Sequence, residues 1–191
     1  MDKERFRIEI KSRIAALDSE YIHESNLKIY NNIITLPEFI AARVVFIYCS
    51  IGREVDTISI INHCFETGKQ VALPTDYYDG KMNFARLDCP PANLPHGKFD
   101  IPVPSDSAAR LKPASDDIII VPALTYDESF HRIGRGGGYY DRYLAECPAF
   151  SVGLCREKLV VPCVPRDSHD VPVFSLVTEK RIARPKSAPQ K

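Results

Sequence analysis

The most distinctive chemical feature of the chain is a cluster of glycines flanked by two arginines. Residues 132–138 read Arg-Ile-Gly-Arg-Gly-Gly-Gly, and they hold four of the nine glycines among 191 residues. Glycines let successive backbone N–H groups converge on an anion, and a helix starting after them adds a positive partial charge. Arg132 and Arg135 add full positive charges beside those groups. The cluster therefore predicts a polyphosphate site, with a tight strand-to-helix turn as the alternative.

The cluster differs from the two common nucleotide-binding fingerprints. No Lys-Ser or Lys-Thr pair follows the glycines, as a P-loop requires, and Tyr139 occupies the last glycine position of the dinucleotide motif. Asp141, just inside the expected helix, is a candidate Mg²⁺ ligand because hard cations prefer carboxylate oxygens. The alternative is a negative charge that stabilises the helix N-terminus.

The same residues resemble the signature of a known family. Arg132 to Tyr143, preceded by Pro122 and Asp127, is similar to the signature of the 5-formyltetrahydrofolate cyclo-ligases, or methenyltetrahydrofolate synthetases. Further segments follow the family's order along nearly the whole chain: Lys3-x-x-x-Arg7, Tyr48 to Thr57, Met82-Asn83-Phe84, Ile101-Pro102, His169-Asp170 and Val177-Thr178-Glu179. One fragment alone would be weak, so the ordered series carries the resemblance.

The resemblance implies an ATP- and Mg²⁺-dependent enzyme of one-carbon folate metabolism. It would close 5-formyltetrahydrofolate to 5,10-methenyltetrahydrofolate through a phosphorylated N5-iminium intermediate, with release of ADP and phosphate. Such phosphoryl transfer depends mainly on positioning and on neutralising charge. The expected cofactor is Mg²⁺, with ATP as co-substrate.

By resemblance, the site residues form overlapping sets. The ATP-binding set is Lys3, Arg7, Arg132, Gly134, Arg135, Gly136, Gly137, Gly138, Tyr139 and Tyr140. The substrate-binding set is Cys49, Glu54, Arg135, Gly136, Gly138 and Tyr139. The expected catalytic residues are Arg132, Arg135 and Tyr140, and the expected Mg²⁺ ligands are Asp141 and Asp170.

Several of these residues also have a purely structural interpretation. Lys3 and Arg7 lie one turn apart on the first predicted helix, where a solvated basic face is the simpler explanation. Glu54 follows the first strand, at the kind of strand end where open α/β sheets bind ligands, but it could be an exposed loop acid. Asp170 could be a turn residue before Pro172.

Three positions depart from the family pattern. Phe130 stands where many members have glycine, Thr125 where a smaller residue is common, and Thr75 where some relatives carry a basic residue. They keep open an ATP-dependent enzyme acting on another N-formyl or heterocyclic substrate. A separate alternative is a non-catalytic folate- or nucleotide-binding regulator, since related chains of this fold bind ligands without catalysing this closure. Metal carboxylates together with a phosphate clamp favour an enzyme, since a pure binding protein does not need both.

The elements that must position these residues alternate between helices and strands. Apolar spacing and capping residues predict helices over 3–17, from Asp18 or Ser19 to before Pro37, from Asp56 or Thr57 to Gly68, and over 139–146. Buried strands are expected at 44–48, 70–73, 117–122, 150–155 and 174–177. Residues 75–115 are interpreted as a loop-rich insertion with a small strand at 82–87, and Pro74 as the end of the second strand.

This alternation is typical of a parallel sheet with crossover helices. Together with the resemblance, it predicts one α/β domain over residues 1–180, with a central, mostly parallel sheet flanked by helices. The resemblance implies the fold of the sugar-phosphate isomerase and CoA-transferase group. Residues 181–191 form a basic tail for which disorder is predicted.

Composition limits the expected partners and compartment. Lys and Arg number 25, as do Asp and Glu, so a formal net charge of zero argues against a general attraction to nucleic acid. No apolar run approaches the roughly 18 residues of a membrane helix, and Met1–Arg7 lacks the apolar core of a secretory signal. The six cysteines have no metal-site spacing and are expected to be free thiols. We expect a cytoplasmic monomer or weak homodimer that binds small molecules, and neither nucleic acid nor membrane.

Overall fold

A computed structural model describes residues 2–94 and 102–185 of the chain. The helices are α1 (Lys3–Ala15), α2 (Ser19–Ile34), α3 (Pro37–Ala41), α4 (Ile58–Glu66) and α5 (Tyr139–Glu146). The strands are β1 (Val44–Phe46), β2 (Gln70–Tyr78), β3 (Lys81–Arg86), β4 (Arg110–Leu111), β5 (Ile118–Val121), β6 (Thr125–Tyr126), β7 (Arg132–Ile133), β8 (Phe150–Leu154), β9 (Ser175–Val177) and β10 (Ile182–Ala183). Short 3₁₀ helices lie at Pro91–Asn93 and Glu157–Leu159.

The main sheet has the strand order β10-β9-β8-β5-β1-β2-β3-β4. Its five inner strands, from β9 to β2, run parallel to one another. The strands β10, β3 and β4 pair antiparallel at the two edges, and β6 and β7 form a separate two-stranded ribbon. The predicted α/β fold with a mostly parallel sheet is confirmed.

The central strands β1 and β5 are continuously apolar because helices cover both faces of the sheet. In β5, Ile118 and Ile120 pack into the core layer under α2 and α4, while Ile119 and Val121 pack into the layer under α5. All four side chains are fully buried, and burial of each stabilises the fold by about 1.5–3 kcal/mol.

The predicted starts of the first two helices are confirmed, although α1 ends at Ala15 and not at residue 17. In α1, Phe6 and Ile10 are buried, as their spacing predicts, and they pack in a third core cluster with Leu124 and Ile133 near the glycine cluster. Asp18 is the N-cap of α2, since its side chain accepts a hydrogen bond from the Tyr21 N–H at 2.7 Å. α1 is thereby placed beside the strand that leads into the glycines.

The second strand does not end at Pro74, as predicted, but continues to Tyr78. β1 pairs with β2 only as far as Ala72, so Pro74 lies where β2 has β3 as its sole neighbour in the sheet. Proline is tolerated at such an edge position. Residues 70–86 therefore form an antiparallel hairpin that extends into the segment from residue 75 onward, where a loop-rich insertion was predicted, and the expected small strand is present as β3.

The prediction of disorder from residue 181 onward is wrong for the first residues of that segment. Ile182 and Ala183 form β10 against Val177 and Leu176, and the Arg184 guanidinium pairs with both carboxylate oxygens of Glu38. A two-residue strand carries no sequence periodicity, and its partners lie elsewhere in the chain. Residues 186–191, and Ile101 of the family resemblance, lie outside the described residues.

Two expectations from composition can be compared with the structure. None of the helices within residues 2–94 and 102–185 combines the length and the apolar character that crossing a membrane requires. As predicted, free thiols are present at Cys49, Cys64, Cys89, Cys155 and Cys163.

Candidate active site

A cavity of about 640 Å³ opens where β1 and β5 end. Residues that follow β1, β5 and β7 line it, together with the start of α1 and a segment just before β9. Ligands of open parallel sheets bind at the carboxyl ends of the strands, and the volume is typical of a small-molecule site.

Every residue of the predicted site sets lines this one cavity, although the residues are spread over most of the chain. They are Lys3, Arg7, Cys49, Glu54, Arg132, Gly134, Arg135, Gly136, Gly137, Gly138, Tyr139, Tyr140, Asp141 and Asp170. The geometry thus brings them together, while their individual roles stay predictions.

One wall of the cavity is the glycine loop, residues 134–138, between β7 and α5. Gly136 and Gly138 have φ of 106° and 65°, a conformation strained for residues with a side chain, so glycine is required at these two positions. Within the described ranges, no residue accepts a hydrogen bond from the backbone N–H groups of 135–138. These groups and the N-terminus of α5 are suited to bind an anion.

Two arginines hold the glycine loop through its carbonyl oxygens. Arg7 of α1 donates from Nε to the Gly134 carbonyl at 3.0 Å. Arg142 of α5 donates from Nη2 to the Gly137 carbonyl at 2.7 Å and from Nε to the Gly80 carbonyl, in the β2–β3 turn, at 2.6 Å. The carbonyls are thus occupied by cations, and the N–H groups remain for a ligand.

Arg132 and Asp141 form a buried ion pair behind the glycine loop. The Arg132 side chain is 4 % exposed; its Nη2 donates to Asp141 Oδ1 at 2.7 Å, and its Nη1 donates to the Val171 carbonyl at 2.7 Å. The Val171 N–H donates to the same Oδ1 at 3.2 Å. Asp141 Oδ2 accepts no hydrogen bond from a described residue, so one carboxylate oxygen is fixed and the other is available.

Lys3 joins the start of α1 to the segment before β9. Its Nζ lies 2.6 Å from Asp170 Oδ2 and 2.8 Å from Asp167 Oδ2. Burial opposes the charged form of Lys3, but the two carboxylates outweigh it and raise the pKa of the ammonium. Burial also opposes charge on Asp170, but the Lys3 ammonium and the Asp167 N–H hold the pKa of that carboxyl below its usual value. Both groups are therefore charged at neutral pH.

The segment before β9 has a donor set that fits Mg²⁺. One ligand atom each of Asp167, His169 and Asp170 lies within 4.8 Å of the others. Two carboxylates supply the hard oxygen ligands that Mg²⁺ prefers. Asp141 is linked to the same segment through the N–H of Val171, the residue after Asp170. Of these groups, Asp167 and His169 were missed by sequence reasoning as candidate ligands.

Glu54 belongs to a second wall of the cavity, in the segment of residues 49–57 that we call the Glu54 loop. Its Oε1 accepts a hydrogen bond from Arg135 Nη2 at 2.6 Å, and its Oε2 accepts one from the Ile51 N–H at 3.0 Å. The Glu54 side chain is 18 % exposed and that of Arg135 is 62 % exposed. Glu54, which is expected to bind the substrate, is therefore paired with Arg135, which is expected to be catalytic.

Tyrosines supply most of the aromatic surface of the site. The Tyr139 ring meets Tyr77 edge-on, with 5.1 Å between ring centroids. In the described part of the chain, Tyr140 Oη is the one buried side-chain polar atom without a hydrogen-bond partner. Burial raises the pKa of Tyr140 well above its usual value, so the hydroxyl stays protonated and can bond to a ligand.

Cys49 was predicted to belong to the site and lines the cavity, whereas Tyr77 lines it and was not predicted. Burial raises the pKa of the Cys49 thiol to about 11, so it remains neutral in the cavity wall. Tyr77 was missed, because it belongs to the part of β2 beyond Pro74 that was interpreted as loop. The glycine-rich motif at residues 132–143 has no feature that predicts Tyr77 as part of the site.

The departure noted at Phe130 has a structural consequence. Phe130 adopts a φ of 68°, the left-handed region that glycine enters without strain. Its N–H donates to the Asp127 carbonyl at 2.9 Å, which closes the turn before β7. The glycine that many family members carry there adopts this backbone conformation without strain, whereas the backbone of Phe130 is strained in it.

The chain matches the 5-formyltetrahydrofolate cyclo-ligase family model over residues 1–179. The mouse protein named 5-formyltetrahydrofolate cyclo-ligase is 29 % identical, with 93 % of each chain covered. The Escherichia coli K12 protein of that name is 28 % identical over 91 % of this chain and 98 % of its own.

Two solved structures are similar as well. The protein in the NMR structure of Aquifex aeolicus 5,10-methenyltetrahydrofolate synthetase is 31 % identical to this chain. The two structures align with a TM-score of 0.84, and the alignment covers 100 % of this chain and 96 % of that chain. A 5,10-methenyltetrahydrofolate synthetase from Mycoplasma pneumoniae, 18 % identical, shares the fold with a TM-score of 0.74 over 94 % of this chain and 99 % of its own.

Proposed function

Because the chain belongs to the 5-formyltetrahydrofolate cyclo-ligase family, we propose that it closes 5-formyltetrahydrofolate to 5,10-methenyltetrahydrofolate, using ATP and Mg²⁺ and releasing ADP and phosphate. One observation carries this proposal: the cationic glycine loop and Glu54 line a single cavity, and Arg135 of the loop donates to the Glu54 carboxylate. A reaction between a polyphosphate and a polar heterocycle needs both kinds of wall within reach of the same atoms.

The proposed reaction proceeds in two steps. First the formyl oxygen attacks the γ-phosphorus, the bond between that phosphorus and the bridging oxygen breaks, and ADP leaves. Then N10 attacks the formyl carbon of the N5-iminium phosphate, the carbon–oxygen bond breaks, and phosphate leaves with the former formyl oxygen. The N10 proton is lost, which leaves the methenyl bridge. Positioning and charge neutralisation provide most of the catalysis in such a transfer.

We assign the phosphates to the glycine-loop wall. The N–H groups of residues 135–138 would hold phosphate oxygens, with Lys3 and Arg7 approaching from α1. Arg132 is buried and already donates to Asp141 and Val171, so its role is to fix Asp141 and to add positive potential. Arg135 is largely exposed, and an exposed ion pair is weak, so it can exchange Glu54 for a phosphate.

Mg²⁺ would be held by the carboxylates beside that wall. Asp141 and Asp170 are the proposed ligands, with Asp167 as an additional donor. When bound, the ion would neutralise charge on the transferring phosphoryl group. Asp170 Oδ2 is held by the Lys3 ammonium and the Asp167 N–H, so Mg²⁺ would bind Asp170 through Oδ1 or take the place of Lys3.

We assign the folate to the wall that the Glu54 loop forms. Glu54 has acceptor oxygens for N–H groups of the pterin or for the N10 region, and Tyr139 offers a ring face or edge for contact with the heterocycle. The unpaired Tyr140 hydroxyl is a donor for an oxygen of a bound reactant, such as the formyl oxygen.

A turnover assay tests the proposal. Purified protein is mixed with 5-formyltetrahydrofolate, ATP and Mg²⁺, and the near-ultraviolet absorbance of the methenyl product is followed, with ATP or Mg²⁺ omitted as controls. We expect product only when both are present. Binding of ATP or folate without product would reject the enzyme and support a regulator that shares the fold.

A further inference from the structure

Directly after β8, the chain buries an arginine that hydrogen-bonds only neutral atoms. Arg156 is 2 % exposed, and all four of its hydrogen bonds go to uncharged oxygens. Burial lowers its pKa from the usual value. Removing a guanidinium from water is costly unless its N–H groups are satisfied in a fixed geometry. The position therefore needs a function that a smaller apolar residue could not perform.

The guanidinium of Arg156 joins α2 to the middle of the Glu54 loop. On α2, its Nε donates to Ser25 Oγ at 2.9 Å and its Nη2 to Asn26 Oδ1 at 2.6 Å. On the loop, its Nη1 donates to the Arg53 carbonyl at 2.9 Å and its Nη2 to the Glu54 carbonyl at 3.1 Å. Two consecutive backbone carbonyls are thus fixed from the core side.

The ends of the Glu54 loop are held by other contacts. Thr57 Oγ1 donates to the Tyr48 carbonyl at 2.7 Å and accepts from the Ser50 N–H at 2.9 Å. Asn26 Oδ1 also accepts from the Asp56 N–H at 3.2 Å. Only the centre of the loop, at residues 53 and 54, depends directly on Arg156.

We infer that Arg156 is a positioning residue that determines where the Glu54 carboxylate stands in the site; this inference rests on the proposed function, in which Glu54 binds the folate. The Glu54 backbone is held on one side by Arg156, and its carboxylate emerges into the cavity on the other. Displacements of about 1 Å at a binding group have large effects on a reaction. The planar fork of arginine can reach four acceptors at once, which lysine cannot.

The test compares binding of the two substrates in Arg156→Met, Arg156→Lys and Asn26→Ala. Equilibrium binding of 5-formyltetrahydrofolate should weaken about 10-fold or more in Arg156→Met, and by less in the other two variants. Binding of a non-hydrolysable ATP analogue should change by less than about 2-fold, because no described residue of the glycine loop hydrogen-bonds to Arg156. Equal losses for both ligands would overturn the inference. Asn26→Ala, at a half-buried position, keeps the test available if the buried substitution does not fold.

A double-mutant cycle separates positioning from a general structural role. In a Glu54→Gln background, Arg156→Met should weaken folate binding by less than about 2-fold further, because its effect passes through Glu54. An undiminished effect in that background would show that Arg156 acts independently of Glu54. The matched control is Ile33→Ala, a buried position on the same helix two turns beyond Asn26. Its cavity lowers stability, and an equal loss of folate binding there would also overturn the inference.

A measurement without substrate keeps this inference distinct from the proposed function. The Ile51 and Glu54 N–H groups are hydrogen-bonded within the loop, to Glu54 Oε2 and the Ile51 carbonyl. Arg156→Met should speed their hydrogen exchange, while Ile33→Ala should leave it close to that of the native protein. If the native protein binds no folate, the proposed function fails, and unchanged exchange would reject the positioning role separately.

Discussion

The glycine loop and the Glu54 loop form two walls of one cavity, but their conformations have different origins. The backbone of the glycine loop depends on its own composition, since Gly136 and Gly138 adopt positive φ and no described residue accepts from the N–H groups of 135–138. The Glu54 loop depends on side chains far away in sequence, because Arg156 lies 103 and 102 residues from the two carbonyls it binds. The backbone conformation of the glycine loop is visible in the sequence as a motif, whereas the contacts that hold either loop from distant segments, such as Arg7 to Gly134 and Arg156 to the Glu54 loop, are not.

The two walls also differ in how firmly their charges are held. Arg132 and Arg135 are three residues apart in one motif, yet their side chains are 4 % and 62 % exposed. The buried pair of Arg132 and Asp141 is fixed by several hydrogen bonds, while an exposed pair such as Arg135 with Glu54 contributes at most about 1 kcal/mol. In our proposal Arg135 is therefore the group that moves between the walls as substrates bind.

Asp141→Asn should give the largest difference between the effect on turnover and the effect on folate binding. Asparagine retains an oxygen that can accept from Arg132 and Val171 but removes the negative charge proposed to hold Mg²⁺. We expect kcat to fall on the order of 10²–10³-fold while the Kd for 5-formyltetrahydrofolate stays nearly unchanged. Single-turnover kinetics and equilibrium binding measure the two quantities. Unaltered kinetics would remove Asp141 from the metal site.

Paired glycine substitutions compare the loops directly. Alanine at Gly136 is strained by a φ of 106°, and its Cβ would lie 3.4 Å from the Arg7 guanidinium. We expect Gly136→Ala to raise the KM for ATP roughly 10- to 50-fold and to change the KM for folate little. Gly52→Ala in the Glu54 loop is the matched control, with a φ of 57° and open space around it. It should lower stability by about 1 kcal/mol and leave the KM for ATP unchanged; equal effects on that KM would mean that ATP is not held by the glycine loop.

Lys3→Ala tests the edge of the glycine-loop wall. The variant loses a cation that lies within 3 Å of two carboxylates. We expect the KM for ATP to rise about 10-fold, with folate affinity nearly intact. Steady-state kinetics with each substrate varied in turn makes the comparison. A selective folate defect would mean that the two walls have been assigned the wrong way round.

Arg184→Ala, outside both walls, should have the smallest effect. Burial opposes charge on Glu38, but the Arg184 guanidinium outweighs it and lowers the pKa of that carboxyl below 4.5. The stabilisation is therefore fully present above that pH and is lost as pH falls through the lower folded-state pKa. At pH 7 we expect the unfolding free energy to fall by only about 0.5 kcal/mol, because solvent screens this partly exposed ion pair. The loss should shrink below about pH 4, and turnover should be unchanged. Urea unfolding at several pH values measures it; a constant difference would exclude this ion pair as the cause.

Much of the fold follows from local pattern. The continuous apolar runs of β1 and β5 predict buried parallel strands, because only a sheet covered on both faces favours such runs. The capping residue Asp18 and the spacing of Phe6 and Ile10 predict the first two helices. The extension of β2 beyond Pro74 and the edge strand β10 were not predicted, because their strand character depends on a neighbour and not on their own residues.

For the site, the sequence by itself determined the chemical groups and the backbone that presents some of them. The conformation of the glycine loop and the place of Asp141 at the start of α5 are local features, so the spacing of these residues suffices to predict them. Tertiary structure alone decided which groups meet: Lys3 with Asp170 across 167 residues, and Arg156 with the Glu54 loop. A hydrogen bond between residues distant in the chain imposes no spacing or periodicity on either segment. It exists only because the sheet brings the ends of its strands to one edge.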